Sequence, residues 1–198
     1  MKEITVINSG GANLSSIKFA LERLGRKIIL TTDKETIKNS DKLILPGVGN
    51  AKYTMKLLND LDLVNVIKSL TQPILGICLG MQLLFNYSEE SDTNCLGIIN
   101  QNVIKLPQAQ NFPIPHMGWN SLVINNSSPL LEGIKNGDFC YFVHSYYVPK
   151  GANTLAYCEY SDKISAVIQK DNFFGCQFHP EKSSDVGSKI LRNFLEAI

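Results

Sequence analysis

Apolar residues in the first half of the chain keep two alternating rhythms. Short apolar runs at residues 4–7, 27–31, 42–45 and 73–75 have the length and β-branched content of buried strands. Between them apolar residues recur at helical spacing. Leu14, Ile17, Leu21 and Leu24 follow Asn13, which reads as a helix cap, and Gly25 ends that segment. Asp33 opens a short helix, and two further helical segments cover residues 51–58 and 63–70. The run at 73–75 leads through Gly76 into another helical stretch at 81–85. Strands separated by helices of this length predict βαβ crossovers and a parallel sheet.

The second half changes character. Residues 103–106, 122–124, 139–143, 154–159, 164–169 and 173–178 read as short strands, several separated by turn sequences such as Lys150-Gly151-Ala152-Asn153. They predict antiparallel hairpins added to the parallel sheet. A last helix spans 185–197, with Val186, Ile190, Leu191, Phe194 and Leu195 on its apolar side. The expectation is an α/β fold: a central, mostly parallel sheet flanked by helices, with antiparallel strands added in the C-terminal half. No repeat or linker divides residues 1–198, so one domain is expected.

A 44% hydrophobic content and a net charge of +1 exclude disordered and fibrous classes. Lysine and arginine are scattered, which argues against nucleic acid or an anionic membrane surface as partner. Apolar runs fall far short of the roughly 18 residues of a membrane span. The first residues read directly into a strand rather than a signal peptide, so a cytoplasmic protein is expected. Five cysteines without a paired CxxC argue against a disulfide framework and a zinc site. Cys140, Cys158 and Cys176 sit in strand-like runs and read as small buried hydrophobes, and Cys95 as incidental.

Cys78 differs from the other four. Gly76-Ile77-Cys78-Leu79-Gly80 is Gly-x-Cys-x-Gly at a strand-to-helix junction. It matches a nucleophile elbow with Cys in place of Ser. Such a turn crowds the chain, so its flanking positions must be small. A helix N-terminus beneath the sulfur favours the thiolate. A nucleophilic Cys needs a base, and the chain has three histidines, His116, His144 and His179. His179-Pro180-Glu181 follows the strand at 173–178. Proline biases His179 toward an extended conformation, in which His179 and Glu181 point the same way. The carboxylate can then orient the imidazole toward Cys78. An oxyanion hole is expected from the N–H of Leu79, directly after the nucleophile, and from the glycine loop Pro46-Gly47-Val48-Gly49, through Val48 and Gly49.

With these pieces the chain resembles the class I glutamine amidotransferases over nearly its whole length. Gly-Ile-Cys-Leu-Gly-Met-Gln at 76–82 and Phe-His-Pro-Glu-Lys-Ser at 178–183 carry the likeness. Pro46-Gly47-Val48-Gly49, Pro115-His116-Met117-Gly118-Trp119-Asn120 and Tyr141-Phe142-Val143-His144-Ser145-Tyr146-Tyr147 narrow it to glutaminase subunits of imidazole glycerol phosphate synthases, in histidine biosynthesis. The resemblance implies that Cys78, His179 and Glu181 hydrolyse glutamine through a thioester, and that Gln82, Glu90, His144, Ser145 and Tyr146 hold it. It implies no cofactor and no metal. It implies a separate (β/α)8 cyclase subunit as partner, taking the ammonia, with Asn13, Met117, Trp119, Asn120 and Lys182 at the interface. Trp119 by itself fits a core aromatic equally well.

The family pattern is not complete. Asn50-Ala51 stands where Ala-Phe is usual, and Asn8-Ser9-Gly10-Gly11 replaces an Asp-Tyr type pair before Gly. Ala12 takes the place of Gly in Gly-Asn-Leu. These positions leave the triad intact and bear on the partner. A paralogous subunit supplying a sugar amidotransferase in surface-polysaccharide synthesis is the alternative. A free-standing Cys hydrolase and a non-catalytic binding module are the readings from other classes.

Overall fold

A computed structural model describes residues 3–10, 14–47 and 49–198. Asn13 and Val48 lie outside the described residues. In chain order the elements are β1 (Glu3–Ile7), α1 (Leu14–Arg23), β2 (Lys27–Thr31), α2 (Lys34–Lys38), β3 (Leu43–Leu45), α3 (Ala51–Asp60), α4 (Leu63–Lys68), β4 (Ile74–Ile77) and α5 (Leu79–Gln82). There follow β5 (Phe85–Ser88), β6 (Thr93–Asn94), β7 (Ile99–Lys105), β8 (His116–Ser121), β9 (Val123–Ile124), β10 (Phe139–His144) and β11 (Tyr146–Tyr147). The chain ends with β12 (Thr154–Glu159), β13 (Lys163–Lys170), β14 (Phe173–Cys176) and α6 (Ser184–Glu196).

The main sheet runs β2-β1-β3-β4-β14-β13-β12-β9. Strands β2, β1, β3, β4 and β14 pair in parallel. From β14 outward the pairing is antiparallel. Two smaller sheets stand apart: β11-β7-β5-β6 and the ribbon β10-β8. The added strands are therefore only partly an extension of the main sheet, as β7 and β10 belong to these smaller units.

Strand alternation splits the core into two faces. Ile44, Leu75 and Ile77 pack with α1 and α6 through Ile17, Leu21, Ile190 and Phe194. Leu43, Leu45 and Ile74 pack on the other face with α3 and α4 through Met55, Leu58, Leu63 and Ile67. Asn50 caps α3, its side chain accepting from the N–H groups of Lys52 and Tyr53, as a residue in that position does for orphan helix donors. No helix among the described residues is long and apolar enough to cross a membrane.

Several elements depart from expectation, three of them near the elbow and the segment before His179. The helix predicted at 81–85 is a single turn, α5, and Phe85 begins a strand instead. A run of Leu83, Leu84 and Phe85 suits either state, and the parallel pairing of β5 with β7 decides it. Residues 116–121 form a full strand, and Gly118 takes φ +131 within it. The strand before His179 stops at Cys176, and Pro180–Lys182 is a 3₁₀ turn rather than extended chain. Proline fits the first position of such a turn because its φ is already set.

Glycines seal the elbow between β4 and α5. A Cβ on Gly80 would lie 1.9 Å from the Leu45 carbonyl oxygen, and one on Gly76 2.6 Å from the Gly80 oxygen. Both contacts are backbone and cannot yield. Gly25, at φ +74 with nothing near its absent Cβ, carries only a conformational cost. Gly25→Ala should therefore cost about 1–2 kcal/mol, and Gly80→Ala clearly more. Urea denaturation of the two variants checks this, and equal losses would refute the backbone contact at Gly80.

Candidate active site

The elbow holds Cys78 at φ 54, ψ −111, a conformation that L residues rarely adopt. Its N–H donates to Cys176 O at 2.7 Å, and its C=O accepts from Gln82 N–H at 3.1 Å. These bonds fix the strained residue from both sides. Since β4 and β14 are parallel neighbours, Cys78 and the segment after Cys176 leave the sheet at the same end. That end is the usual ligand site of parallel sheets. The N–H of Leu79 has no hydrogen-bond partner among the described residues, as expected for the first donor of a helical turn.

His179 arrives from β14, extended at φ −97, ψ 98. Its N–H donates to Tyr141 O at 3.0 Å. Ser183 Oγ donates to the His179 carbonyl at 2.7 Å and accepts from Tyr141 N–H at 2.9 Å. His179 Nδ1 pairs with Glu181 Oε1 at 2.8 Å, both side chains almost fully buried. The 3₁₀ turn thus brings the two side chains together as predicted, by a different backbone. Gly187 lets α6 close on that turn, since a Cβ there would lie 2.0 Å from Pro180 O.

Burial pushes the His179 imidazole down, but hydrogen bonds and charge from Cys78 and Glu181 outweigh it, and the net effect raises it to about 10. The ring is cationic at neutral pH, held between a sulfur and a carboxylate. The other histidines go the opposite way. Burial lowers His144 to about 3, helped by the charge of His116 and His179 and opposed by the Tyr146 backbone bond. Burial lowers His116 to about 4. Among the other thiols, burial pushes Cys140 and Cys95 up to about 12 and raises Cys158 and Cys176 as well.

Hydrogen-bond polarity fixes the His144 tautomer. The Tyr146 carbonyl can only accept, so His144 Nδ1, at 2.9 Å, must donate to it. His144 Nε2 then accepts from His116 Nδ1 at 3.0 Å. His116 Nε2 in turn accepts from Asn120 Nδ2 at 3.3 Å. Both ring nitrogens of His144 are engaged within the protein, so a ligand meets its backbone or ring face rather than those atoms.

A cavity of about 400 Å³ opens over the sulfur, lined by Gly47, Gly49, Cys78, Leu79, Gln82, Glu90, His144, Ser145, Tyr146 and His179. That size suits an amino-acid-sized ligand with its solvent. Gln82 Nε2 is taken up by Tyr146 O at 2.8 Å and Gln177 Oε1 at 2.9 Å. Glu90 Oε2 accepts from Ala51 N–H at 2.7 Å, and burial raises the carboxyl while that bond lowers it. No group of three potential metal-binding side chains occurs among the described residues.

Beside the cavity the β8-β10 ribbon presents Met117 at 63%, Trp119 at 53% and Phe139 at 55% exposure. Trp119 pairs in register with Tyr141, their rings 6.1 Å apart. Lys182 Nζ lies 5.9 Å from the Tyr141 ring centre. Trp119 is therefore a surface aromatic, not a core one. Strand alternation turns Asn120 away from Met117 and Trp119, and it donates to Glu159 O at 2.9 Å and contacts His116. Gln177 was missed altogether. It is fully buried and its amide nitrogen lies 3.8 Å from Cys78 Sγ.

The fold and this site define a class: residues 5–198 match the family glutamine amidotransferase class-I, and the chain belongs to it. More narrowly, it is 52% identical over 198 residues to the imidazole glycerol phosphate synthase subunit HisH of Pasteurella multocida, covering 100% of both chains. HisH 2 of Legionella pneumophila is 50% identical over 192 residues, covering 97% of this chain and 96% of its own. The crystal structure of a glutamine amidotransferase shares the fold at TM-score 0.75 and 20% identity, covering 98% and 97% of the two chains.

The raised His179 predicts a pH signature. An ordinary imidazole value is 6.5, and here it rises to about 10. A cation stabilised in the folded state adds stability fully below pH 6.5, and that contribution disappears as pH rises through about 10. Wild type should thus lose its stability margin over His179→Asn between those limits, measured by urea midpoints across that range. A margin constant with pH would show that His179 is not held cationic.

Proposed function

We propose that this chain is the glutaminase subunit of an imidazole glycerol phosphate synthase, releasing ammonia from glutamine for a separate (β/α)8 cyclase subunit of the HisF kind. One observation carries the chemistry: the buried His179–Glu181 pair at 2.8 Å, its imidazole held cationic by the Cys78 sulfur and the carboxylate. The identity to HisH relatives over the full chain supports the pathway.

In this reading the Cys78 thiolate bonds to the side-chain carbonyl carbon of glutamine, and the carbonyl electrons move onto oxygen. The N–H of Leu79, with those of the 46–49 loop, receives the oxyanion. The C–N bond breaks as His179 gives its proton to the leaving nitrogen, and ammonia departs from a γ-glutamyl thioester. Neutral His179 then takes a proton from water, the hydroxide adds to the thioester carbon, and the C–S bond breaks. Glutamate leaves, and the thiolate–imidazolium pair is restored. Glu181 keeps Nδ1 as the oriented donor throughout. The Glu90 carboxylate suits the glutamine ammonium, while Gln82, Ser145, Tyr146 and the His144 backbone line its remaining sides.

Ammonia protonates in neutral water and ceases to be a nucleophile, so this product is useful only when delivered directly. The exposed Met117 and Trp119, with Lys182 beside them, form the docking face in this reading. Cys78→Ala should abolish glutamine hydrolysis with the fold retained, and a glutamine-derived electrophile should modify Cys78 and spare the other four cysteines. Modification at Cys140 or Cys176 would reject the nucleophile. For the partner, glutaminase rate is measured for the chain alone, with a cognate cyclase, and with cyclase plus its nucleotide ligand. A rise of two to three decades is expected, equivalent to about 3–4 kcal/mol. Equal rates would mark a free-standing hydrolase. Activation by a sugar amidotransferase alone would assign the chain to that paralogous role.

A further inference from the structure

Beside Cys78 two buried amides, Gln82 on the cavity wall and Gln177 outside it, form a directed chain. Its polarity is set by one backbone carbonyl. Tyr146 O can only accept, so the Gln82 atom at 2.8 Å must be the NH₂ group. That nitrogen also lies 2.9 Å from the Gln177 side chain, so the Gln177 atom facing it must be the carbonyl oxygen. The remaining end of the Gln177 amide is then its NH₂, and it points at Cys78 Sγ, 3.8 Å away. The flipped amide would set two donors against each other at Gln82. Gln177 itself is anchored, since its backbone N–H donates to Ala166 O at 2.9 Å and its side chain is fully buried.

The sulfur has a second neighbour of opposite preference. Val143 O lies 4.0 Å from Cys78 Sγ and can accept from a thiol, but it repels a thiolate. A fixed donor at 3.8 Å offsets that repulsion and holds the anion in place. We propose that Gln177 is a catalytic residue of this site, its amide N–H donating to the Cys78 thiolate so that the sulfur is both charged and aimed at the substrate carbon. Gln82 and the Tyr146 carbonyl act as positioning groups, holding the donor end toward sulfur. The inference rests on Cys78 being the nucleophile. Gln177 does not line the cavity, so its contribution lies in the chemistry rather than in glutamine binding.

Other titratable groups face the same sulfur or its partners. They are the His179 cation after β14, Glu181 behind it, neutral His144 at the end of β10, and Glu90 on the cavity wall. The test leaves all four in place. In Gln177→Met the chain length is kept and the donor lost. In Gln177→Asn the donor is kept but drawn back by one methylene. Alkylation of Cys78 by iodoacetamide, followed site by site by mass spectrometry from pH 4 to 10, reads the thiolate directly. Gln177→Met should react about tenfold more slowly at the foot of the profile, with its midpoint raised by about one unit and its high-pH plateau retained. Gln177→Asn should fall between that variant and wild type. With a cognate cyclase, kcat should fall by about tenfold in Gln177→Met at an unchanged KM.

An unshifted profile in the folded variants, or a lowered plateau without a shift, would overturn the assignment. So would a loss confined to KM. Should both variants fail to fold, the ¹⁵N-resolved side-chain amide protons of Gln177 in the wild-type protein serve instead. They should move when the Cys78 sulfur is capped as a methyl disulfide, and unmoved protons would equally overturn the contact. If wild-type Cys78 itself proves no more reactive than the other cysteines, the nucleophile assignment fails rather than the role of Gln177.

Discussion

After Cys78 the backbone passes the end of β3 with no room for a side chain on either segment. A Cβ on Gly80 would meet Leu45 O at 1.9 Å, and one on Gly47 would meet Gly80 N at 2.3 Å. This mutual contact is the constraint on which the site depends. It seats the loop beginning at Pro46 directly against the first turn of α5, with Gly47 on Leu79 and Gly80. Ser9 Oγ donates to Pro46 O at 2.7 Å from a buried position, tying that loop to the end of β1 as well. The same crowding forces Cys78 to φ 54, a local strain of order 1–3 kcal/mol that the surrounding sheet must offset. A strand-to-helix junction without these glycines would relax the strain and withdraw the sulfur.

The exposed ribbon is not an independent appendage. Tyr141 carries its ring on the surface against Trp119, yet its backbone N–H and C=O are both committed inward, to Ser183 Oγ and His179 N–H. Two residues further along β10, Val143 O approaches the Cys78 sulfur at 4.0 Å. A protein seated on Met117, Trp119 and Tyr141 therefore presses on a strand bonded to the catalytic turn, with no flexible segment between. If the proposed partner docks on this face, its coupling to the chemistry needs no long path. A small shift of β10 would move the backbone partner of His179 and the carbonyl facing the nucleophile together.

What the sequence disclosed and what it withheld follow from the range of the interactions. The Gly-x-Cys-x-Gly elbow and the His179-Pro180-Glu181 step are local, and their steric requirements are written in neighbouring residues. The alternating parallel half was legible because each βα unit carries its own periodicity. The orientation of Asn120 depends on which face of β8 turns inward, which the pairing with β10 decides. Gln177 could not be recognised from spacing, since its partner Cys78 is 99 residues away. Its one local signal was a polar amide in the apolar run Phe173–Phe178, where an unpaired side chain would be costly to bury. Val48 lies outside the described residues, so its expected part in the oxyanion hole rests on the Pro-Gly-Val-Gly motif.

The three histidines show how one charge is selected in a crowded site. All are buried, and burial alone disfavours the cation at each. His179 escapes because a sulfur and a carboxylate flank it, whereas no carboxylate or thiol is among the hydrogen-bond partners of His116 and His144, which are each other, the Tyr146 carbonyl and the Asn120 amide. The neutrality of His144 matters to its neighbour, because a second cation beside His179 would compete for the same sulfur and drive the proton off one ring. Burial enforces that neutrality against the Tyr146 carbonyl, which fixes the ring nitrogen that keeps the proton and also orients Gln82, accepting from both at 2.9 and 2.8 Å. One backbone oxygen thus sets the His144 tautomer and turns the amide chain so that its donor end reaches Cys78. The charge that must move during glutamine cleavage is left on the single imidazole positioned to deliver it.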